Sequence, residues 1–331
     1  MGEQSRSRGS RRRLAALRWV VLASAACFAG QIEAAGGAES GVKATASDVP
    51  PAVFGSPILT VIVTRHGVRS FSSTPHNYDW ASWGEVEPSF LTKRGYDLMK
   101  QMGVFYAGLH PAACKDKTAF VYADKDQRTV YTAQALVEGL CDARGALPIY
   151  HEQDLESEDP IFNPVAWLAQ KGRIDTAQSK NAVVGAAGEP FSAVLLTHAE
   201  DLSRLQQLLD KRRCGDDAPC APVAYGATVI AQQGLAELKG PLTTASTYAE
   251  DLFLEYAQCR PAADMAPKLP KEALAPDLKA AMRLHVLAYD VNARNAYNPL
   301  ARGGTLFAHI VAMLDKKIGR VPGDMATPPA I

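Results

Sequence analysis

Apolar positions fall into two regimes along the chain. From residue 58 short strand-like runs alternate with stretches of helical spacing. Ile58-Leu59-Thr60-Val61-Ile62-Val63-Thr64, β-branched at every position but Leu59, predicts a buried strand. Thr92 is placed to cap a helix whose apolar positions Leu98, Met102, Phe105 and Leu109 keep helical spacing. Ala119 to Ala123 predicts a second strand, and a helix from near Thr129 carries Tyr131, Ala135, Leu136 and Leu140. This alternation predicts α/β architecture over residues 57–158. From Asp159 to about Ala275 strand signals become rare. Helical stretches at Leu202–Asp210, Ala231–Leu238 and Tyr248–Ala257 are punctuated by Val183 to Gly188 and by a loop from Cys214 to Pro222. Residues 159–275 therefore predict a mostly helical cap inserted into the α/β lobe. Residues 276–331 return toward the core through a helix around Leu278–Val291 and end in a polar tail from Asp315. The stretch from Phe71 to Phe90, with Tyr78, Trp80 and Trp83 scattered among polar residues, reads as a loop bordering a site or as a surface loop anchored by its aromatics. No internal repeat is present.

Residues 1–35 read as an export signal. Arg11-Arg12-Arg13 precedes a mostly apolar stretch, Leu14 to Ala29, and small residues at Ala34 and Ala35 offer a cleavage site. Arg18 interrupts the stretch, which is short for a membrane span. Ser10-Arg11-Arg12-Arg13-Leu14 is also similar to a twin-arginine signal, so the general and twin-arginine routes both stay open. Ser24-Ala25-Ala26-Cys27 departs from a lipoprotein box at Ser24, which argues against lipid attachment. Residues 36–56, rich in Gly, Ala, Ser and Pro, predict a flexible lead-in. The expected location is periplasmic or secreted, with no stable membrane insertion after signal cleavage. Oligomeric state is left open.

Charge balance narrows the partners. With 35 basic and 35 acidic residues the chain has no net charge, which argues against nucleic acid as a partner. Of six cysteines, Cys27 lies in the signal, leaving Cys114, Cys141, Cys214, Cys220 and Cys259. Export favours disulfides. Cys214 and Cys220 flank the short polar loop Gly215 to Pro219 and could close a small ring, with Cys259 left over as a free thiol or one whose partner is absent. No Cys/His spacing suggests a metal site.

Against this frame one pentapeptide carries chemistry: Arg65-His66-Gly67-Val68-Arg69, at the end of the first predicted strand. The arginines present planar forks of N–H donors that match phosphate oxygens. Gly67 lets the backbone approach a ligand closely. Imidazole among cations is biased to its neutral form, the form that can attack phosphorus. Ligands of open α/β sheets bind at the carboxyl ends of strands. A turn after Ala119–Ala123 would bring Arg128 to the same edge.

The segment Pro57 to Phe71 resembles the opening motif of the histidine acid phosphatases, the branch with bacterial periplasmic phytases and glucose-1-phosphatases. The resemblance continues through Leu91-Thr92-Lys93-Arg94-Gly95, Val121-Tyr122-Ala123-Asp124-Lys125-Asp126-Gln127-Arg128-Thr129, Asp159-Pro160-Ile161-Phe162-Asn163-Pro164, Leu284-His285 and Gly304-Thr305-Leu306-Phe307-Ala308-His309-Ile310. It covers roughly residues 55 to 315. It implies a phosphoglycerate mutase-like core with a helical cap, His66 as nucleophile through a phosphohistidine, and Arg65, Arg69 and Arg128 around the phosphate. Ser72 stands where the family often has a phosphate-bonding threonine. Glu250 matches a substrate-facing glutamate, or else sits on a solvated helix face. His285 lines the pocket, or else is a partly buried structural histidine. The pair Cys114 and Cys141 resembles a bridge of bacterial phytases. No metal or cofactor is implied, and the implied partner is a small phosphomonoester.

The sequence departs from the family in one respect. The family places a His-Asp pair on a late strand, where the aspartic acid protonates the leaving oxygen, and these residues contain no His-Asp dipeptide. A general acid contributes about 10²–10⁴ in rate. The expectation is a chain truncated at its C-terminus, with strands missing, apolar faces exposed and activity impaired on alkyl phosphates. The alternative is a non-catalytic phosphate-binding fragment. A cytosolic mutase-like enzyme shares Arg-His-Gly, but the signal, the paired cysteines and the helical insertion argue against it.

Overall fold

A computed structural model describes residues 59–72, 82–116, 118–153, 159–188, 190–210, 228–232, 234–261, 265 and 271–319. The predicted signal, the lead-in, Cys214, Cys220 and the tail beyond residue 319 lie outside these residues.

Helix α1 (Lys93–Leu109) opens at Thr92, whose hydroxyl accepts the Gly95 N–H at 2.9 Å. Strand β1 (Val121–Tyr122) is shorter than the predicted Ala119–Ala123. It leads into α2 (Gln127–Cys141) and pairs in parallel with β2 (Ile149–Tyr150). Helices α1 and α2 pack backbone to backbone. A Cβ on Gly139 would lie 1.9 Å from the Lys100 carbonyl oxygen, and one on Gly103 2.2 Å from that of Leu136. Only hydrogen fits at either crossing residue. Cys114, in a single turn after α1, is bridged to Cys141 at the end of α2, with Cα atoms 5.4 Å apart.

Three expectations about elements are corrected. Residues 59–64 form no strand. Val61, Ile62 and Val63 are 37%, 45% and 65% exposed, and the nearest pairing is the antiparallel bridge of Arg69 with Leu91. A run that is apolar on both faces suits a strand flanked on both sides, and no described strand lies beside it. Val183 to Gly188 is not an interruption: it closes helix α4 below, with Val183 fully buried and Gly188 at the C-cap with φ 72°. Ala231 to Leu238 is not helical. Strands β3 (Thr228–Gln232) and β4 (Leu235–Lys239) form an antiparallel hairpin around Gly234, whose φ is +85°. Helical spacing of Ala231, Leu235 and Leu238 lost to a glycine turn between β-branched and leucine-rich segments.

The remaining elements are helical. Besides a short helical segment at Ser192–Leu196, they are α3 (Pro164–Gln170), α4 (Thr176–Ala187), α5 (Ala199–Asp210), α6 (Pro241–Ala257), α7 (Lys271–Asn292) and α8 (Asn298–Lys317). Helix α7 presents Leu274, Leu278, Ala281, Leu284, Ala288 and Val291 along one buried stripe. Its first half packs with Leu205, Leu208 and Leu209 of α5 and Leu252 of α6; its second half packs with Val183 of α4 and Leu238 of β4. Each fully buried leucine contributes about 1.5–3 kcal/mol. Polar side chains finish the junction. Asn292 accepts the Leu238 N–H at 2.7 Å, and Asn298 donates to the Asn292 carbonyl at 2.7 Å while accepting from Ser179 at 2.7 Å. The asparagine amide thus acts as a strand neighbour for β4. Among the described residues no strand follows β4. Large apolar side chains such as Phe105 and Phe307 remain exposed, at 60% and 68%.

Candidate functional site

Backbone ties fix the motif before any side chain acts. Ser70 N–H donates to Phe90 O at 3.0 Å and Thr92 N–H to Val68 O at 2.9 Å, clamping residues 68–70 against 90–92. The motif then crosses the start of α1 so closely that a Cβ on Gly95 would lie 2.2 Å from the Val68 carbonyl oxygen. On the other side the Gly67 N–H donates to Thr132 Oγ1 of α2 at 2.9 Å. The pentapeptide is wedged between the first turn of α1 and the second turn of α2.

His66 is half-buried, and its Nδ1 lies 2.8 Å from the Gly67 carbonyl oxygen. A carbonyl only accepts, so Nδ1 carries the proton and Nε2 of the neutral ring keeps its lone pair. Burial, then the charges of Arg65, Arg128 and Arg69, lower the imidazole pKa to about 4 against the opposing pull of the Gly67 carbonyl. The ring is neutral over most of the acid range.

The three arginines differ in setting. Arg69 is buried and donates from Nη1 to Ser70 O at 2.8 Å; Arg65 is exposed. Arg128 follows the Asp126 N-cap of α2 and is ion-paired to the Asp126 carboxylate. Burial lowers the Arg69 pKa from its ordinary value, as do the charges of Arg65 and Arg128, while Glu250 and Asp251 oppose this. Three cations therefore act on one imidazole and on one another.

Glu250, on α6, faces this cluster. Its Oε1 accepts from Arg65 Nη2 at 2.8 Å and from Arg69 Nη2 at 3.2 Å. Burial pulls its pKa up, but the Arg65 hydrogen bond, the charges of Arg69 and Arg65 and a contribution from His285 outweigh it, leaving a net lowering. One helical turn earlier, Ser246 meets His285 of α7, with His285 Nδ1 at 3.0 Å from the hydroxyl and 3.2 Å from the Ser246 carbonyl. The His285 ring also packs on Tyr289, with centroids 4.8 Å apart. Ser72 is exposed at the edge of the described segment.

His66, Arg65, Arg69, Arg128 and Glu250 are thus gathered into one cluster, with His285 close enough for its charge to act on Glu250. Sequence reasoning did not pick out Thr132 and Ser246. For Thr132 the available signal was a buried hydroxyl one turn after Arg128 on the same helix. Cys259 corrects a further expectation: it is disulfide-bonded, and so is neither a free thiol nor one lacking a partner. Among the described residues no three His, Cys, Asp or Glu side chains converge as a metal site would require, and no helix is long and apolar enough to cross a membrane.

The geometry can be set beside known proteins. No family model matches the chain. It is 27% identical over 218 residues to the glucose-1-phosphatase of Salmonella typhimurium, covering 59% of this chain and 50% of that protein. Among solved structures, Hafnia alvei phytase in complex with tartrate superposes with a TM-score of 0.62 at 26% identity, over 76% of this chain and 64% of that one. The same phytase with myo-inositol hexakis sulphate gives 0.62 at 27% identity, over 75% and 63%. Klebsiella phytase gives 0.61 at 23% identity, over 74% and 62%. The fold is that of the bacterial phytases, an α/β core with helical elements. The chain spans about half the length of the curated relative it matches and under two thirds of these solved structures.

Proposed function

We propose that the chain is a histidine acid phosphatase, an exported phosphomonoester hydrolase whose nucleophile is His66, a reading supported by its likeness to a glucose-1-phosphatase and to bacterial phytases. The observation that carries this reading is the His66 ring itself: Nδ1 is committed to the Gly67 carbonyl, burial and three arginines keep the ring neutral, and Nε2 is left as the nucleophile. Nε2 forms a bond to phosphorus as the P–O ester bond breaks, and the electron pair leaves on the ester oxygen. Arg65, Arg69 and Arg128 hold the equatorial oxygens while charge builds on them. Water then displaces the imidazole from phosphorus and releases phosphate. Ser72 adds a hydroxyl at the mouth of the site, and His285 borders it.

Relatives that are a glucose-1-phosphatase and phytases support a small phosphomonoester as substrate. Residues 159–275 act as a cap, reaching the site through Glu250 of α6. Residues 1–35 direct export, which makes the location periplasmic or secreted. Protonation of the leaving oxygen sets the range of esters cleaved. With no His-Asp dipeptide in these 331 residues, turnover favours aryl esters, whose leaving groups need little protonation. Under the second reading the chain binds phosphate without turning it over, and the absent dipeptide is its motive.

Para-nitrophenyl phosphate at acid pH separates them. Nitrophenol release that is abolished in His66→Ala, with glucose 1-phosphate cleaved far more slowly, supports hydrolysis through His66. Binding of inorganic phosphate without release of nitrophenol supports the second reading, and release that survives His66→Ala removes His66 from the chemistry.

A further inference from the structure

The reading of His66 as nucleophile leaves open what holds it in register with Arg128, which arrives from a different element. Two hydrogen bonds bracket the Gly67 Cα: the Gly67 N–H donates to Thr132 Oγ1 at 2.9 Å, and the Gly67 carbonyl accepts from His66 Nδ1 at 2.8 Å. The same Thr132 hydroxyl donates to the Arg128 carbonyl at 2.7 Å. Its one proton and one of its lone pairs are both used. Thr132 is only 4% exposed, so neither bond competes with bulk water.

Glycine is the residue that most needs such bracketing. Without a Cβ its backbone ranges widely, and any rotation about Gly67 swings the carbonyl that orients the His66 ring. A side chain cannot replace the hydroxyl in this task. A Cβ on Gly67 would lie 2.8 Å from the Gly95 carbonyl oxygen and 2.9 Å from Met99 Cγ. The residue must be glycine to pass α1, and its conformation must be set from outside.

We infer that Thr132 is a positioning residue: through one buried hydroxyl it locks the Gly67 backbone that fixes the His66 tautomer, and it registers the nucleophile with the Arg128 end of the phosphate cradle. It touches neither phosphate nor leaving group. The inference rests on His66 being the nucleophile, so its test includes a readout that needs no turnover.

Thr132→Val removes the hydroxyl at nearly constant volume, and Thr132→Ser keeps it. The first readout is kcat and KM for para-nitrophenyl phosphate. Displacing a nucleophile by about 1 Å costs roughly 10²-fold. Thr132→Val is expected to lower kcat by roughly 10- to 100-fold with KM changed less than about threefold, and Thr132→Ser to recover most of the loss. The second readout is the tautomer of His66, from ¹⁵N chemical shifts of the imidazole in the folded full chain. Wild type and Thr132→Ser are expected to show the Nδ1–H form, and Thr132→Val a mixture. Should His66 not be the nucleophile, the kinetic differences vanish while the tautomer shift remains. An unchanged tautomer in folded Thr132→Val overturns the inference, as does a loss that Thr132→Ser fails to recover.

Discussion

Glu250 on α6 reaches across 181 residues of sequence to set its Oε1 3.2 Å from Nη2 of Arg69. The same oxygen takes a hydrogen bond from Arg65 at 2.8 Å, so one carboxylate occupies guanidinium edges that a phosphate would use. Its lowered pKa keeps it charged into acid solution. Glu250→Gln keeps the shape and removes the competing charge. Inorganic phosphate should then bind roughly three- to tenfold tighter by calorimetry at pH 5, the scale of one charge interaction near a protein surface. Weaker binding would mean that Glu250 mainly aligns the arginines.

The His66 pKa, lowered from its ordinary 6.5 to about 4, has a kinetic and a stability consequence. The folded state binds fewer protons than the unfolded state between these values. The stability contribution of the neutral ring is therefore fully present above pH 6.5 and declines as pH falls toward 4. Proton NMR titration of the His66 ring should give a midpoint near 4, and Arg65→Gln should move it upward by removing one opposing charge. In urea denaturation, His66→Gln should lose less stability than wild type between pH 7 and 4.5. An ordinary midpoint in the wild-type ring would contradict the burial and charge arrangement.

The crossing of α1 and α2 supports the candidate site from both sides: the motif packs against Gly95 of α1, and Arg128 belongs to α2. Gly139→Ala would force a Cβ to 1.9 Å from the Lys100 carbonyl oxygen, so the helices must part. Overpacking of this kind costs about 1–3 kcal/mol or more, against roughly 1 kcal/mol gained in helix propensity. Thermal unfolding followed by circular dichroism should show a lower Tm, and activity should fall with it because Arg128 and Thr132 ride on α2. An exposed glycine such as Gly303 serves as control and should tolerate alanine.

Asn292→Leu tests the junction between β4 and α7. The leucine removes the acceptor of the Leu238 N–H and leaves a buried donor unsatisfied, which costs about 1–3 kcal/mol. Hydrogen exchange at Leu238 should accelerate selectively, while amides of α2 keep their protection. Uniform acceleration would mean that the hairpin is not a separable unit.

Much of the site was legible because its signals are local. Arg65-His66-Gly67-Val68-Arg69 is contiguous, Thr92 sits where a helix must start, and Arg128 follows a strand-like run into a helix. A helix around Leu278–Val291 was likewise visible, and it is the middle and end of α7. What escaped notice depends on partners far away in sequence. Residues 59–64 have every local mark of a strand, yet a strand needs a neighbour, and neighbours are not encoded in its own residues. Ala231, Leu235 and Leu238 fit a helix until Gly234 is given its left-handed φ. Glu250 could sit on either face of α6 until the motif is packed against it, and Thr132 looks like any buried threonine until the Gly67 N–H arrives.

The most direct measurement of His66 as nucleophile is to trap the phosphorylated protein. Wild type mixed with labelled para-nitrophenyl phosphate at acid pH, quenched within milliseconds and digested, should yield one phosphopeptide spanning residue 66. Its label should be labile to acid and stable to alkali, as a phosphoramidate is, and His66→Ala should yield none. Nitrophenol release with no labelled protein, or a label on a peptide lacking His66, would contradict the phosphohistidine mechanism.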